Sequence, residues 1–255
     1  MERSQRDFSH LTDKLNSDFA RLELSQRLEL IGELAEQAVF TSSLGVEDQI
    51  LTWAIAMSGQ PIDVATLQTG RLFPETLSLI QITKDRYGID IKEYNPNPET
   101  LEDYVETYGL DGFYNSVEAR KACCKTRKLA PLAEALKAAD VWITGLRREQ
   151  SEDRNAIEFV EWDAQRGLLK VNPLADWTAQ QVKQAVAAHE IPVSPLHARG
   201  YPSIGCEPCT RAIKPGESER AGRWWWEQQD SRECGLHVAE DATSSPRETD
   251  ISDYA

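Results

Sequence analysis

Short apolar segments alternate with amphipathic segments from residue 38 to residue 145, and this alternation limits the chain to few folds. The segments AVFTSS (38–43) and DVATLQT (63–69) are short and mainly apolar, as buried strands are. Helices are predicted after them, over 46–59 and from Pro74 onward. Strands that alternate with helices in this way form a mostly parallel, twisted sheet that helices cover on both faces. We therefore predict an α/β fold of that class.

The same pattern continues on either side of these segments. IDIKEYNP and VWITG (141–145) are predicted to be a third and a fourth strand, and PETLEDYVETYG a further helix. Residues 7–36 are predicted to form two amphipathic helices. Periodicity fades from about Lys214, and residues 238–255 contain five acids, one base and few bulky apolar residues, which is typical of disorder.

Composition excludes several broad classes of function. The chain has 255 residues and a formal net charge of −14, so a general nucleic-acid binder with a broad basic face is not expected. No apolar run approaches the ~20 residues that span a membrane. The N-terminal segment lacks the apolar centre of a secretory signal, and we expect a cytoplasmic protein without a membrane partner.

Glycines, residues with hydroxyl groups and arginines follow three of the predicted strands, in SSLGVED (42–48), LQTGRLFPET (67–76) and TGLRREQSEDR (144–154). Ligands of open α/β sheets bind beyond the carboxyl ends of the strands, where backbone N–H groups and arginines favour anions. Any one segment is equally well explained as a turn with a solvated charge. Together they predict a nucleotide or sulfate-like anion site, and the absence of a Walker lysine argues against a kinase-like ATPase. The candidate contacts are Ser42, Ser43, Gly45, Leu67, Gly145, Arg147 and Arg154.

Four of the five cysteines form two close pairs, in KACCKTRK (121–128) and GCEPCTR (205–211). Adjacent cysteines rarely bridge to each other, because their Cα atoms are closer than a relaxed disulfide prefers. A structural zinc site and a thioredoxin-like redox pair are alternatives. Neighbouring cysteines on a helix suit an iron–sulfur cube better than one zinc ion, since each can bind a different iron atom.

The fifth cysteine, Cys234, lies in the segment ECGLH beyond three consecutive tryptophans. It could be an incidental thiol in the tail. Nearby cations, Arg220 and Arg223, would instead favour its thiolate, and Gly235 and His237 follow it on what we expect to be a mobile arm. The sequence therefore makes Cys234 a candidate nucleophile.

The cysteine pairs, the segment GCEPCTRAIKPGESERAGRWWW and the terminal ECGLH together resemble the assimilatory adenosine 5′-phosphosulfate (APS) reductases of the sulfonucleotide reductase family. The resemblance extends over about residues 38–237. It implies an adenine-nucleotide α-hydrolase-like fold and a 4Fe–4S cluster that does not itself carry electrons to sulfate. The implied cluster ligands are Cys123, Cys124, Cys206 and Cys209, the implied nucleophile is Cys234 with His237 as an adjunct, and the implied sulfate contacts are Lys128, Arg220 and Arg223.

By this resemblance the protein reduces APS to sulfite and AMP through a cysteine S-thiosulfonate, with reduced thioredoxin or glutaredoxin as electron donor. The expected organisation is N-terminal helices (1–37), a nucleotide- and cluster-binding domain (38–213), a mobile catalytic arm (214–237) and an acidic disordered tail (238–255). A homo-oligomer is compatible with the sequence.

Three other functions remain open at this point. A reductase for 3′-phospho-APS (PAPS) is the alternative within the family, although strict PAPS enzymes generally lack both cysteine pairs. An ATP-dependent ligase of the same fold would carry an S-G-G-x-D-S loop, which SSLGVED does not match. A zinc-stapled binding module would leave Cys234 and the arginines unexplained.

Overall fold

The computed structural model of the protein describes residues 9–151 and 154–227. Its centre is a six-stranded sheet in the order β3-β2-β1-β4-β6-β5. All neighbouring strands are parallel except β5 and β6, which form an antiparallel pair at one edge. The strands are β1 (Ala38–Ser42), β2 (Ile62–Leu67), β3 (Ile91–Tyr94), β4 (Val141–Ile143), β5 (Val160–Asp163) and β6 (Leu168–Val171).

Helices connect the parallel strands, and further helices precede β1 and follow β6 in the chain. They are α1 (Thr12–Phe19), α2 (Leu24–Leu34), α3 (Val46–Ser58), α4 (Pro74–Tyr87), α5 (Pro98–Tyr108), α6 (Val117–Cys124), α7 (Ala130–Ala135) and α8 (Ala179–His189). A five-residue π-helical segment, Lys125–Leu129, joins α6 to α7 without a break. None of the helices in the described residues is both long enough and apolar enough to cross a membrane.

Alternate residues of the central strands face two separate apolar layers. In β1, Ala38 and Phe40 pack into the larger layer, which also contains residues of α1, α2, α3 and α8. Val39 faces the opposite layer, where Leu132 of α7 and Trp142 of β4 are almost completely buried. Because successive side chains of a strand point to opposite faces, a sheet covered on both sides needs strands that are apolar throughout. The predicted α/β class is confirmed.

The predicted elements are present; the strand ends differ from the prediction by one or two residues, and the first of the two helices predicted over 7–36 begins only at Thr12. β1 ends at Ser42, one residue before its predicted end, and β2 ends at Leu67, two residues before. The helices end where the sequence indicates: Gly59 and Gly88 adopt the left-handed conformation that terminates α3 and α4. The hairpin of β5 and β6 and the helix α8 were not among the predicted elements.

Residues 201–227 pack back onto the α/β unit. Their last part includes Trp224, which is 1% exposed, and Glu227, which is also buried. The first part of the predicted mobile arm, residues 214–227, therefore has a defined place in the structure. The rest of that arm and the predicted acidic tail lie outside the described residues, and the proposed domain boundaries stay a prediction.

Candidate active site

A cleft of about 220 Å³ opens at the carboxyl ends of β1, β2 and β4. These three strands are neighbours in the sheet, so the three segments that follow them meet at one edge. Residues 202–206 and 219–224 form the facing wall. Nine of the residues predicted to bind substrate line this cleft: Ser42, Ser43, Gly45, Leu67, Lys128, Gly145, Arg154, Arg220 and Arg223.

The loop between β1 and α3 is held in shape by its own side chains. Leu44 has a positive φ of 61° and is 2% exposed, so this apolar residue stands where a turn would favour glycine. The Ser42 hydroxyl accepts a hydrogen bond from the Leu44 backbone N–H at 3.1 Å. Gly45 then caps α3, whose positive end faces the cleft with the acidic residues Glu47 and Asp48 in its first turn.

Asp48 ties this loop to the first turn of α3. One oxygen of its carboxylate accepts hydrogen bonds from both the backbone N–H and the hydroxyl of Ser43, each at 2.6 Å. Burial raises the pKa of Asp48 to about 6, because removal from water disfavours the charged form more than the two hydrogen bonds favour it. The other carboxylate oxygen faces Gly145, where a Cβ atom would lie only 2.0 Å away. Gly145 therefore allows the end of β4 to approach Asp48.

The arginines after β4 separate into two groups. Arg154 lines the cleft, and it lowers the pKa of Asp48 against the larger effect of burial. Arg147 is buried elsewhere and pairs with Glu47 at 2.8 Å. Arg148 donates to the Ile157 carbonyl at 2.7 Å. The structure thus brings Arg154 to the predicted site and does not bring Arg147 there.

Arg223 is held firmly on the facing wall of the cleft. Its guanidinium lies 4.7 Å from the Trp224 ring and 3.3 Å from the Ser203 hydroxyl and the Ile204 carbonyl. A Cβ atom at Gly205 would come within 2.2 Å of this guanidinium. The Arg223 Nε atom is buried and has no hydrogen-bond partner among the described residues.

All four paired cysteines are buried, form no disulfide with one another and are grouped around one small cavity next to the cleft. Cys123 and Cys124 end α6, while Cys206 precedes a short 3-10 turn, Glu207–Cys209, and Cys209 ends it. That turn is fixed to the loop after β2, because the Glu207 backbone N–H donates to the Arg71 carbonyl at 2.8 Å. The structure therefore brings together two pairs that are more than 80 residues apart in the chain.

Cations and hydroxyl groups surround the cysteines. Arg127 is buried, donates to the Thr69 carbonyl at 2.7 Å, and lowers the pKa of Cys123 against the larger, opposite effect of burial. Burial and the neighbouring Cys206 raise the pKa of Cys209 to about 12, while Lys128 acts in the opposite direction. Four thiolates in this position would need further positive charge, such as that of bound iron.

The helix around Lys128 is not a regular α-helix. In an α-helix, Lys128 would share a face with Cys124, four residues earlier. The intervening residues are π-helical, which places about one more residue in the turn. Lys128 and Cys124 nevertheless line the same cavity, and Lys128 also reaches the cleft.

Several residues of this region were not predicted to belong to the site. Asp48 lies in the SSLGVED segment and Arg127 in the basic run KACCKTRK, but neither was among the predicted contacts. Arg120 and Glu227 form a completely buried ion pair whose members are 107 residues apart, a pairing for which the sequence carries no local signal. Among the described residues, no group of three or more His, Cys, Asp or Glu side chains is arranged to hold a metal ion. Cys234 and His237 lie outside the described residues.

Comparison with known families decides the relationship of the chain. Residues 37–212 match the family described as the phosphoadenosine phosphosulfate reductase domain. The chain belongs to this family. This confirms the family resemblance that was inferred from the sequence. The fold of the chain also matches the crystal structure of the PAPS reductase from Candida auris in complex with phosphate. That structure has a TM-score of 0.67 and 22% identity, and the match covers 79% of this chain and 96% of the other.

Relatives within the family are similar over nearly their whole length. A protein of Sinorhizobium fredii NGR234 named adenosine 5′-phosphosulfate reductase is 60% identical over 90% of this chain and 92% of its own. Proteins of the same name from Agrobacterium fabrum and Allochromatium vinosum are 58% and 49% identical, over 89% and 91% of this chain and 88% and 92% of theirs. This member of the phosphoadenosine phosphosulfate reductase family is therefore close to relatives named for APS.

Proposed function

We propose that the protein reduces adenosine 5′-phosphosulfate to sulfite and AMP in sulfate assimilation. One observation carries the proposal: the cleft and the cysteine cavity share three wall residues, Lys128, Cys206 and Trp224. A nucleotide at the ends of β1, β2 and β4 would extend its sulfate end toward this shared wall, where Lys128, Arg220 and Arg223 lie. The names of the most similar relatives support APS as the substrate.

The proposed chemistry needs a nucleophile and neutralisation of the sulfate. The Cys234 thiolate attacks the sulfur of APS, the bond from that sulfur to the bridging oxygen breaks, and AMP leaves with the electron pair. The cations of the cleft stabilise the charge that builds up on the sulfate oxygens. A thiolate of reduced thioredoxin then attacks the Cys234 sulfur, and sulfite leaves with the electron pair. The second thioredoxin thiol displaces Cys234 and completes the disulfide, so two electrons pass from dithiol to sulfur.

The cysteine cavity fits a 4Fe–4S cluster. It offers four thiols, and the buried Trp224 Nε1 donor in the same apolar group has no hydrogen-bond partner within residues 9–151 and 154–227. A single zinc ion is a poorer fit, because two adjacent cysteines on a helix are an awkward chelate for one ion, whereas each can bind a different iron atom of a cluster. Cys123, Cys124, Cys206 and Cys209 would hold the cluster. When bound, it would supply positive charge and rigidity beside the sulfate, without being required to carry electrons.

Single-turnover labelling tests the proposal. Wild-type protein given ³⁵S-labelled APS without reductant should gain one SO₃ unit on the peptide that contains ECGLH, and thioredoxin should then release labelled sulfite. PAPS in place of APS should give much less adduct. Cys234→Ser should keep the visible absorption near 400 nm and bind APS within about tenfold, about 1.4 kcal/mol, but form no adduct. Label on any of the other four cysteines would contradict the mechanism.

The protein partners and cellular context remain part of this proposal. Thioredoxin is the proposed donor because a protein with two thiols can release sulfite from the cysteine S-thiosulfonate and is itself oxidised to a disulfide. Glutaredoxin offers the same chemistry. A cytoplasmic location and a homo-oligomeric state remain predictions from the sequence.

A further inference from the structure

A buried ion pair connects the cysteine-bearing helix to the residue at which the described chain ends. Nε of Arg120, in α6, donates to one carboxylate oxygen of Glu227 at 2.8 Å, and Nη2 donates to the other at 2.9 Å. The exposed fraction of the side chain is 0% for Arg120 and 4% for Glu227. This two-point geometry fixes both the distance and the orientation of the partners.

The same guanidinium also touches the cysteine group. Burial by itself would lower the pKa of Arg120, but its hydrogen bonds with Glu227 and with Cys124 outweigh burial and raise the pKa. Arg120 further lies 5.0 Å from the Trp224 ring, which lines both the cleft and the cysteine cavity. One side chain therefore contacts a proposed cluster ligand, a wall of the cleft and Glu227.

The segment before Glu227 is held on its other side by aromatic rings. The ring of Trp226 lies 4.5 Å from that of Tyr114 and 6.4 Å from that of Phe113. The Glu227 backbone N–H donates to the Trp224 carbonyl at 2.9 Å. The chain is thus fixed up to Glu227 by the ion pair within the protein and by the rings around Trp226.

Cys234 follows Glu227 by seven residues, a stretch that spans at most about 25 Å. The position of Glu227 consequently limits the volume that the Cys234 thiol can reach. Trp224, which lines the cleft, lies only three residues before Glu227 in the chain. A short tether raises the effective concentration of a group only if it starts at a suitable place. A buried ion pair contributes little net stability compared with apolar side chains, which suggests a role in geometry.

We propose that the Arg120–Glu227 pair is a positioning device that sets the starting point of the segment carrying Cys234, and so delivers its thiol into the substrate cleft. The inference rests on the proposed function, because it takes Cys234 as the nucleophile. Neither Arg120 nor Glu227 needs to touch substrate in this role. Their contribution is to the rate at which a bound substrate meets the thiol.

Two rates measured at Cys234 distinguish placement of the thiol in the cleft from the intrinsic reactivity of the thiol. Alkylation of Cys234 by iodoacetamide, quantified by mass spectrometry of its peptide, reports the thiol's own reactivity and access. Formation of the sulfonate adduct from saturating ³⁵S-labelled APS reports delivery into the cleft. In Glu227→Gln we expect adduct formation to slow at least tenfold, while alkylation, iron content and affinity for AMP stay within twofold of wild type.

A double variant keeps the test decisive if Glu227→Gln folds poorly. Arg120→Met combined with Glu227→Leu removes both charges and keeps the buried volume, which proteins often tolerate. It should show the same selective loss of adduct formation. Asp176→Asn is the matched control, because Asp176 forms a similar two-point pair with the buried Arg27, outside the cleft and the cysteine cavity. This control should leave both rates unchanged.

Each outcome has a definite meaning. Adduct formation within twofold of wild type in the folded variants would overturn the positioning role. A parallel fall of both rates, or joint loss of iron and AMP binding, would also overturn it, since these indicate altered thiol chemistry or a merely structural pair. Absence of any adduct on wild-type Cys234 would instead refute the proposed function.

Discussion

At the scale of single residues, the protonation of Asp48 is expected to control substrate binding at mildly acidic pH. Its pKa of about 6 means that the carboxylate is charged above this pH and neutral below it. A neutral carboxyl group accepts the two hydrogen bonds from Ser43 more weakly, which loosens the loop that caps α3. We therefore expect the Kd for APS to be at least threefold higher at pH 5.5 than at pH 7.5.

Tryptophan fluorescence titration of the Cys234→Ser protein with APS would measure this effect. APS is the suitable ligand, because the phosphate monoester of AMP itself titrates near pH 6. Asp48→Asn should bind more weakly at both pH values and should lose the pH dependence. The same slope in Asp48→Asn as in its parent would assign the effect to another group.

A second prediction concerns the charge at the wall shared by the two cavities. Lys128→Ala should weaken binding of APS by tenfold or more and binding of AMP by less than threefold, because the sulfate is the proposed partner of Lys128. Isothermal titration calorimetry with both ligands measures the difference. Lys125→Ala is the control, since Lys125 belongs to the same basic run but is exposed to solvent. Equal losses for APS and AMP would point to a structural role for Lys128.

At the scale of elements, the turn around the second cysteine pair also sets the position of Arg223. The added Cβ of Gly205→Ala would lie 2.2 Å from the Arg223 guanidinium, which has little room to move between the Trp224 ring, the Ser203 hydroxyl and the Ile204 carbonyl. We expect at least tenfold weaker APS binding with unchanged iron content. Fluorescence titration and iron analysis of the same preparation measure both.

Gly32→Ala provides the matched control for this substitution. Its Cβ would also meet an atom at 2.0 Å, but that atom is the end of the flexible Gln60 side chain, which is not among the residues of the cleft. APS affinity should not change in this variant. Wild-type affinity in Gly205→Ala as well would show that the position of Arg223 does not depend on this glycine.

Local patterns predicted some elements of the site and not others. The placement of Ser42, Leu67 and Gly145 at or just after strand ends could be predicted from apolar runs that stop at turn residues, and parallel strands bring such ends to one edge. The direction of Arg147 could not be predicted, because it depends on Glu47, which is 100 residues away. The π-helical segment at Lys125–Leu129 likewise depends on packing, since its composition is that of an ordinary helix.

At the scale of the whole molecule, the sequence predicts the α/β fold class but not the full order of strands in the sheet. The strands β1, β2 and β4 are short, mainly apolar runs between helices, so their pattern was recognisable. In β5, by contrast, Glu161 and Asp163 alternate with apolar residues, as is common in an edge strand, and its antiparallel pairing with β6 breaks the repeating pattern. Long-range pairing, which decides such edges, is not encoded in any local period.

Truncation separates binding from chemistry at this scale. A chain ending at residue 227 retains every described residue of the cleft and of the cysteine cavity. We expect it to fold, to keep the absorption near 400 nm and to bind APS within about tenfold, but to release no sulfite. Circular dichroism, absorption and product analysis test this. A full-length Cys234→Ser protein is the control, and sulfite release by the truncated chain would exclude a nucleophile beyond residue 227.

The wall shared by the two cavities also restricts how such an enzyme can change over evolutionary time. Lys128, Cys206 and Trp224 each belong to both cavities. A descendant that gave up its cysteines would lose part of the surface that encloses its substrate, and compensating changes would have to arise in the same region. Changes at the cysteine pairs and changes in nucleotide recognition are therefore expected to occur together.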